Sequence, residues 1–93
     1  MKLDDLLAER GRTHGAWSDN ARLAQAMKEL FRNEKGWMKL SACQREALDM
    51  IAHKISRVLS GDCDHGDHWR DIGGYAALVV RELDDGGTDV CRS

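Results

Sequence analysis

The chain has no proline anywhere in its 93 residues. Nothing therefore breaks a helix by removing a backbone N–H, and no proline-rich linker or polyproline segment is present. Aromatic residues are scarce, with three tryptophans, one tyrosine and one phenylalanine. No segment alternates apolar and polar residues in the period of a strand, so the chain reads as all-α. An excess of one charge is also missing: 14 Lys and Arg stand against 16 Asp and Glu, for a formal net charge of −2. A general nucleic-acid or membrane-surface binder needs a basic excess. No apolar run is long enough to cross a bilayer, and the N-terminus does not read as a signal peptide. The cysteines Cys43, Cys63 and Cys91 are odd in number and irregularly spaced. That pattern predicts three reduced thiols in a cytosolic protein rather than a secreted disulfide framework.

What is present is a sequence of amphipathic segments in one domain of ordinary small size. The helical core is expected over about residues 3–84, with a flexible tail over 85–93. "KLDDLLAERGR" forms a short helix with Leu3, Leu6 and Leu7 on one side, and "THGAWSDN" a turn in which Ser18 or Asp19 caps the next helix. "NARLAQAMKELFRN" carries Leu23, Met27, Leu30 and Phe31 at helical spacing. Gly36 then breaks the pattern, and Trp37 is expected to fold back over the core. The strongest helix covers 41–60, with Ser41 and Gln44 as a capping box and Gly61 as the stop. Its apolar arc comprises Leu48, Ile51, Ala52, Ile55, Val58 and Leu59, opposite a stripe of Glu46, Asp49, His53 and Arg57. The last helix, 67–84, is capped by Asp67, and its arc of Trp69, Ile72, Ala76, Val79, Val80 and Leu83 is expected to face the core.

A short loop joins the last two helices, which predicts four helices built on an antiparallel hairpin. Counting outward from the loop sets Arg57 level with Asp71, Lys54 with Gly74, and Glu46 with Glu82. Gly73 and Gly74 each cost roughly 1 kcal/mol against alanine in a helix interior. They are expected where a neighbouring helix, or a ligand beside Lys54 and Arg57, approaches closely; tight helix packing alone is the plainer account. Met50 and Leu78 lie outside the core arcs, which predicts a homo-oligomer, a dimer in the first instance.

Thr13-His14-Gly15 followed by Asn20, "EALDMIAHKISR" over 46–57 and "DHWRDIGGYA" over 67–76 together resemble a family of small proteins encoded mainly by tailed phages and prophages, of unassigned function. The resemblance covers roughly residues 8–83. It implies a phage or prophage accessory protein in a bacterial cytoplasm. The order of elements is also distantly similar to the all-α nucleoside triphosphate pyrophosphohydrolases of the MazG type, and that resemblance implies magnesium held by clustered carboxylates over a nucleotide's phosphates.

Tested on the residues, the acidic candidates are Glu46 and Asp49 on one helix and Asp67 and Asp71 on the other. Magnesium needs converging oxygen ligands. The two pairs are set roughly 16 Å apart along the helices, so only a partner chain brings them together. Capping and a salt bridge to Arg57 or Lys54 account for Asp67 and Asp71 without a metal. A second candidate set, His14, Asn20, His53, Lys54, Arg57, His68 and Tyr75, makes a polar pocket for phosphate or a nucleotide, with arginine as a bidentate fork and lysine as a point charge. Phosphate-loop and dinucleotide glycine fingerprints are absent. Cys63, His65 and His68 form one irregular cluster, without the paired ligands of structural zinc. Two classes of function remain: a nucleotide-linked one, by binding or by magnesium-dependent pyrophosphohydrolysis, and a non-enzymatic phage protein that binds a host factor, for example to inhibit a defence system.

Overall fold

A computed structural model of the chain describes residues 2–86. Four helices follow in order: α1 (Leu3–His14), α2 (Trp17–Asn33), α3 (Ala42–Ser60) and α4 (Gly66–Asp84), with a 3-10 turn over Lys35–Lys39 between α2 and α3. No strand occurs among the described residues, so the chain is an all-α bundle. None of these helices is long and apolar enough to cross a membrane. Most of the tail expected over 85–93 lies outside the described residues.

The α1–α2 connection is tighter than the eight-residue turn expected from the sequence. Thr13 and His14 belong to α1, α2 begins at Trp17, and its N-cap is Ala16 with no side-chain hydrogen bond, so neither Ser18 nor Asp19 caps it. Gly15 makes the corner. Its φ is +82°, and a Cβ there would overlap the carbonyl of Ser60 at the end of α3. Gly61 approaches in return, and a Cβ on it would overlap the Thr13 carbonyl. That carbonyl accepts from Asp62 N–H at 3.0 Å and from His68 Nε2 at 2.7 Å. Three segments distant in sequence thus meet at one oxygen, and His68 is fully buried beside it.

The capping box forms as the sequence predicts: Gln44 N–H donates to Ser41 Oγ and Ser41 N–H to Gln44 Oε1, satisfying two of the helix's unpaired donors. The Gly61 N–H closes the other end on Arg57 O at 2.8 Å. Trp37 folds back as expected, buried against Phe31 with ring centroids 6.0 Å apart. Arg32 lies over its indole at 5.2 Å. α4 starts one residue before Asp67, with His65 as its N-cap.

α3 lies at the centre, packed on α4 along one side and on α2 along another. Its buried residues are Ala47, Ala52, Lys54 and Ser56, whereas Leu48 and Leu59 of the expected arc are exposed. Part of the stripe opposite that arc is turned toward α2: Asp49 pairs with Arg32 at 3.0 Å and His53 accepts from Lys28 Nζ at 2.8 Å. Small side chains make this possible, because Ala24 on α2 and Ala52 on α3, both buried, let the helix backbones approach closely.

α4 differs more sharply. Ile72 and Val79 are half-buried, but Trp69, Ala76, Val80 and Leu83 are exposed, so most of its apolar arc faces away from α3. The register also differs by about one turn: Lys54, not Arg57, is level with Asp71, and their charges meet at 3.0 Å. A simple symmetrical loop would have set Arg57 there; the Thr13 carbonyl pins Asp62 and His68 and draws the start of α4 toward α1 instead. Gly73 and Gly74 are exposed, and a Cβ on either meets nothing within 4 Å. The expected groove beside them is therefore absent. Cys63 is free and exposed, but Cys43 is disulfide-bonded, which corrects the expectation of three reduced thiols; Cys91 lies outside the described residues.

Candidate functional site

The α1–α2 corner and the central helix leave a pocket of about 450 Å³ between them, lined by Leu7, Arg10 and His14 from α1, Trp17, Asn20 and Ala24 from α2, and His53, Ser56 and Arg57 from α3, among others. Its size is that of an ordinary small-molecule site. Four of the seven residues expected to bind phosphate meet here: His14, Asn20, His53 and Arg57.

Their local roles differ. Asn20 is buried and its amide is fully used: Nδ2 donates to the carbonyls of His14 at 2.6 Å and Ala16 at 3.1 Å, and Oδ1 accepts from the buried Ser56 hydroxyl at 3.2 Å. It holds the α1–α2 corner onto α3 and so shapes the pocket floor. Arg57 is the opposite case. It is half-buried on the pocket wall, and its guanidinium has no hydrogen bond or ion pair among the described residues. Five donors in a fixed fork thus face a concave surface without an acceptor.

The two histidines register that charge. The His14 imidazole is held below its usual pKa, first by burial and then by Arg57, with His68, Lys54 and His65 adding to the effect. His53 is also lowered, by burial, then by Lys28 and Arg57, against a smaller opposing pull from Asp49. Both rings are therefore neutral at pH 7, and His53 Nε2 accepts from the Lys28 ammonium, which leaves its proton on Nδ1. An imidazole with a lowered folded pKa contributes stability that is present above its unfolded value of about 6.5 and is lost as pH falls through the folded value. Thermal unfolding followed by circular dichroism is expected to show a Tm that is highest above pH 7 and falls on going toward pH 5. A His14→Asn, His53→Gln double variant should flatten that slope. Asp71, whose carboxyl is held low by its hydrogen bond to Lys54 and then by the lysine charge, acts in a separate, more acidic window.

The other three expected ligand residues lie outside this pocket. Lys54 is buried and neutralised by Asp71. His68 is spent on the Thr13 carbonyl, between His14 at a ring-centroid distance of 5.2 Å and His65 at 4.7 Å. Tyr75 lines a different groove, on the α3–α4 surface with Glu46 and Ala47. The four expected metal carboxylates are dispersed as well. Asp49 bonds Arg32, Asp71 bonds Lys54, Asp67 bonds Arg70 at 2.7 Å, and Glu46 lies on the Tyr75 groove. Asp49 Oδ1 is buried without a partner, yet its neighbours Arg32 and His53 bring no second carboxylate. Among the described residues no three His, Cys, Asp or Glu side chains are placed to share a metal ion.

Arg10 and Trp17 are pocket residues that the sequence reading missed. Trp17 precedes an amphipathic stretch and shows no periodicity of its own, and Arg10 looks like any solvated charge on α1. The only available signal was the nearness of both to the Thr13-His14-Gly15 motif.

No curated protein and no solved structure matches the chain. One family model does match, over residues 4–82, which takes in all four helices but for the first residue of α1 and the last two of α4. The chain belongs to that family, described as Domain of unknown function (DUF6378).

Proposed function

We propose that this chain binds a phosphate-bearing small molecule, a nucleotide in the first instance, in the pocket between α1, α2 and α3. The observation that carries the reading is Arg57: a cation on the wall of a pocket, without a carboxylate partner among the described residues, beside two imidazoles whose protonation it opposes. An anion relieves that unfavourable potential, and guanidinium recognises phosphate with two parallel hydrogen bonds. The remaining wall suits the rest of a nucleotide, with Leu7 and Ala24 apolar and the exposed Trp17 at the rim able to stack on a base. The dispersal of Glu46, Asp49, Asp67 and Asp71 favours binding over metal-dependent hydrolysis. The motif resemblance supports a phage or prophage accessory setting for this activity.

Calorimetric titration with inorganic phosphate, nucleoside mono- and triphosphates and phosphate-free nucleosides tests it. Phosphate-bearing ligands are expected to bind and free nucleosides not to. Because a bound anion raises the pKa of His14 and His53, affinity should increase as pH falls from 7.5 toward 5.5, apart from ligand protonation, which inorganic sulfate controls for. Absence of binding by every nucleotide at millimolar concentration would refute the reading. The non-enzymatic alternative, docking on a host protein, draws on exposed Leu7 and Trp17 at the same pocket, and recovery of one specific host protein from infected cells would favour it.

A further inference from the structure

The outer face of α4 meets no other element among the described residues. At about 100° per residue, Trp69, Gly73, Ala76, Ala77, Val80 and Leu83 fall on one side of the helix, away from His68, Asp71 and Tyr75, which face α3. Trp69 and Val80 are each 55% exposed and Leu83 is 50% exposed. Trp69 is nonetheless held in place, because its Nε1 donates to Cys63 O at 2.8 Å. A fixed, exposed indole at one end of this face and two aliphatic side chains at the other, about 16 and 21 Å further along the helix, are residue types enriched where interfaces form. Among the described residues the buried apolar ones are only Ala24, Trp37, Ala47 and Ala52, a small core for a domain of this length.

We infer that this face binds a second copy of the chain, with the two α4 helices antiparallel and crossing at Ala76 and Ala77. In that register Gly73 is level with Val80 of the second copy, so the valine fills the space that the missing side chain leaves open. Trp69 comes beside Leu83 on one flank. On the other flank Arg70 lies within one residue of Asp84, whose carboxylate has no partner among the described residues. A valine meets a glycine, an indole meets a leucine and a cation meets an anion, all by one two-fold operation. A parallel pairing would instead stack Arg70 on Arg70 and Asp84 on Asp84. Each copy offers on the order of 500 Å², so the pair buries about 1,000 Å², the lower end for a specific interface. The glycine pair then divides by position: Gly73 is at the contact, whereas Gly74 is a quarter-turn away.

Sedimentation velocity on the full chain across micromolar concentrations tests this. A dimer is expected, and Val80→Glu and Gly73→Leu should each weaken it by about tenfold or more, equivalent to at least 1.4 kcal/mol, while far-UV circular dichroism stays unchanged. Gly74→Leu should leave the dimer intact. Arg70→Glu and Asp84→Arg should each weaken association, and the two combined should restore it. A chain that is monomeric throughout overturns the proposal. So does a dimer indifferent to Val80→Glu and Gly73→Leu, or a monomer whose α4 face captures a different protein.

Discussion

Replacing Gly15 by alanine should destabilise the protein by about 3 kcal/mol or more. Two costs combine. The backbone at Gly15, with φ +82° and ψ −175°, lies in a region open almost only to glycine, and forcing another residue there costs roughly 1–3 kcal/mol. In addition, the new methyl group would overlap the backbone of Ser60, and a backbone carbonyl at the end of a helix cannot turn aside as a flexible side chain can. The corner would have to open, pulling Thr13 from Asp62 and His68 and loosening the bonds that Asn20 makes to His14 and Ala16. For a domain of this size 3 kcal/mol lowers Tm by roughly 12–24 °C. Gly11 provides the contrast. It lies within α1, and a Cβ there meets nothing within 4 Å, so Gly11→Ala should raise Tm slightly, by at most about 1 kcal/mol of helix propensity. Equal effects from the two substitutions, measured by thermal or urea unfolding, would show that the Gly15 corner is not under steric constraint.

Arg57→Ala should abolish most phosphate affinity while leaving the fold intact. A charge-assisted hydrogen bond contributes about 1.5–3 kcal/mol, so removing the guanidinium should raise Kd by roughly 10- to 100-fold. Stability should change little, because Arg57 bonds nothing among the described residues. The His14 and His53 imidazoles should titrate at higher pH once the neighbouring charge is gone, a shift that proton NMR of the ring resonances reads directly. Arg57→Lys keeps the charge but not the fork, and should fall between the two. Lys54→Met is the informative opposite: it removes a buried cation paired with Asp71 and should alter stability without altering the pocket. An unchanged Kd in Arg57→Ala would dissociate the pocket from phosphate binding.

Much of the site was legible in part. His14, Asn20, His53 and Arg57, grouped in the sequence as one polar set, do line a single pocket, although they come from the end of α1, the start of α2 and the second half of α3. Lys54 and His68, placed in the same set, lie outside that pocket and bond Asp71 and the Thr13 carbonyl instead. Nothing in a sequence distinguishes a histidine that binds a ligand from one whose Nε2 closes on a distant carbonyl, and Thr13 O is 55 residues away from His68 in the chain. The same long-range contact shifted the α3–α4 register by a turn and moved Asp71 from Arg57 to Lys54.

The sequence by itself determined where helices form: no proline interrupts them, Ser41 and Gln44 start the central one, Gly61 ends it, and Trp37 folds back after the break at Gly36. These are local properties, set by backbone dihedrals and hydrogen bonds within a few residues. Only the tertiary structure decided which face of each helix is covered. Helical periodicity shows that α3 has a polar stripe and α4 an apolar arc, but not which neighbour each one meets. Buried alanines let α2 approach α3 on its polar side, where Asp49 and His53 find Arg32 and Lys28, while the apolar arc of α4 remains turned to solvent.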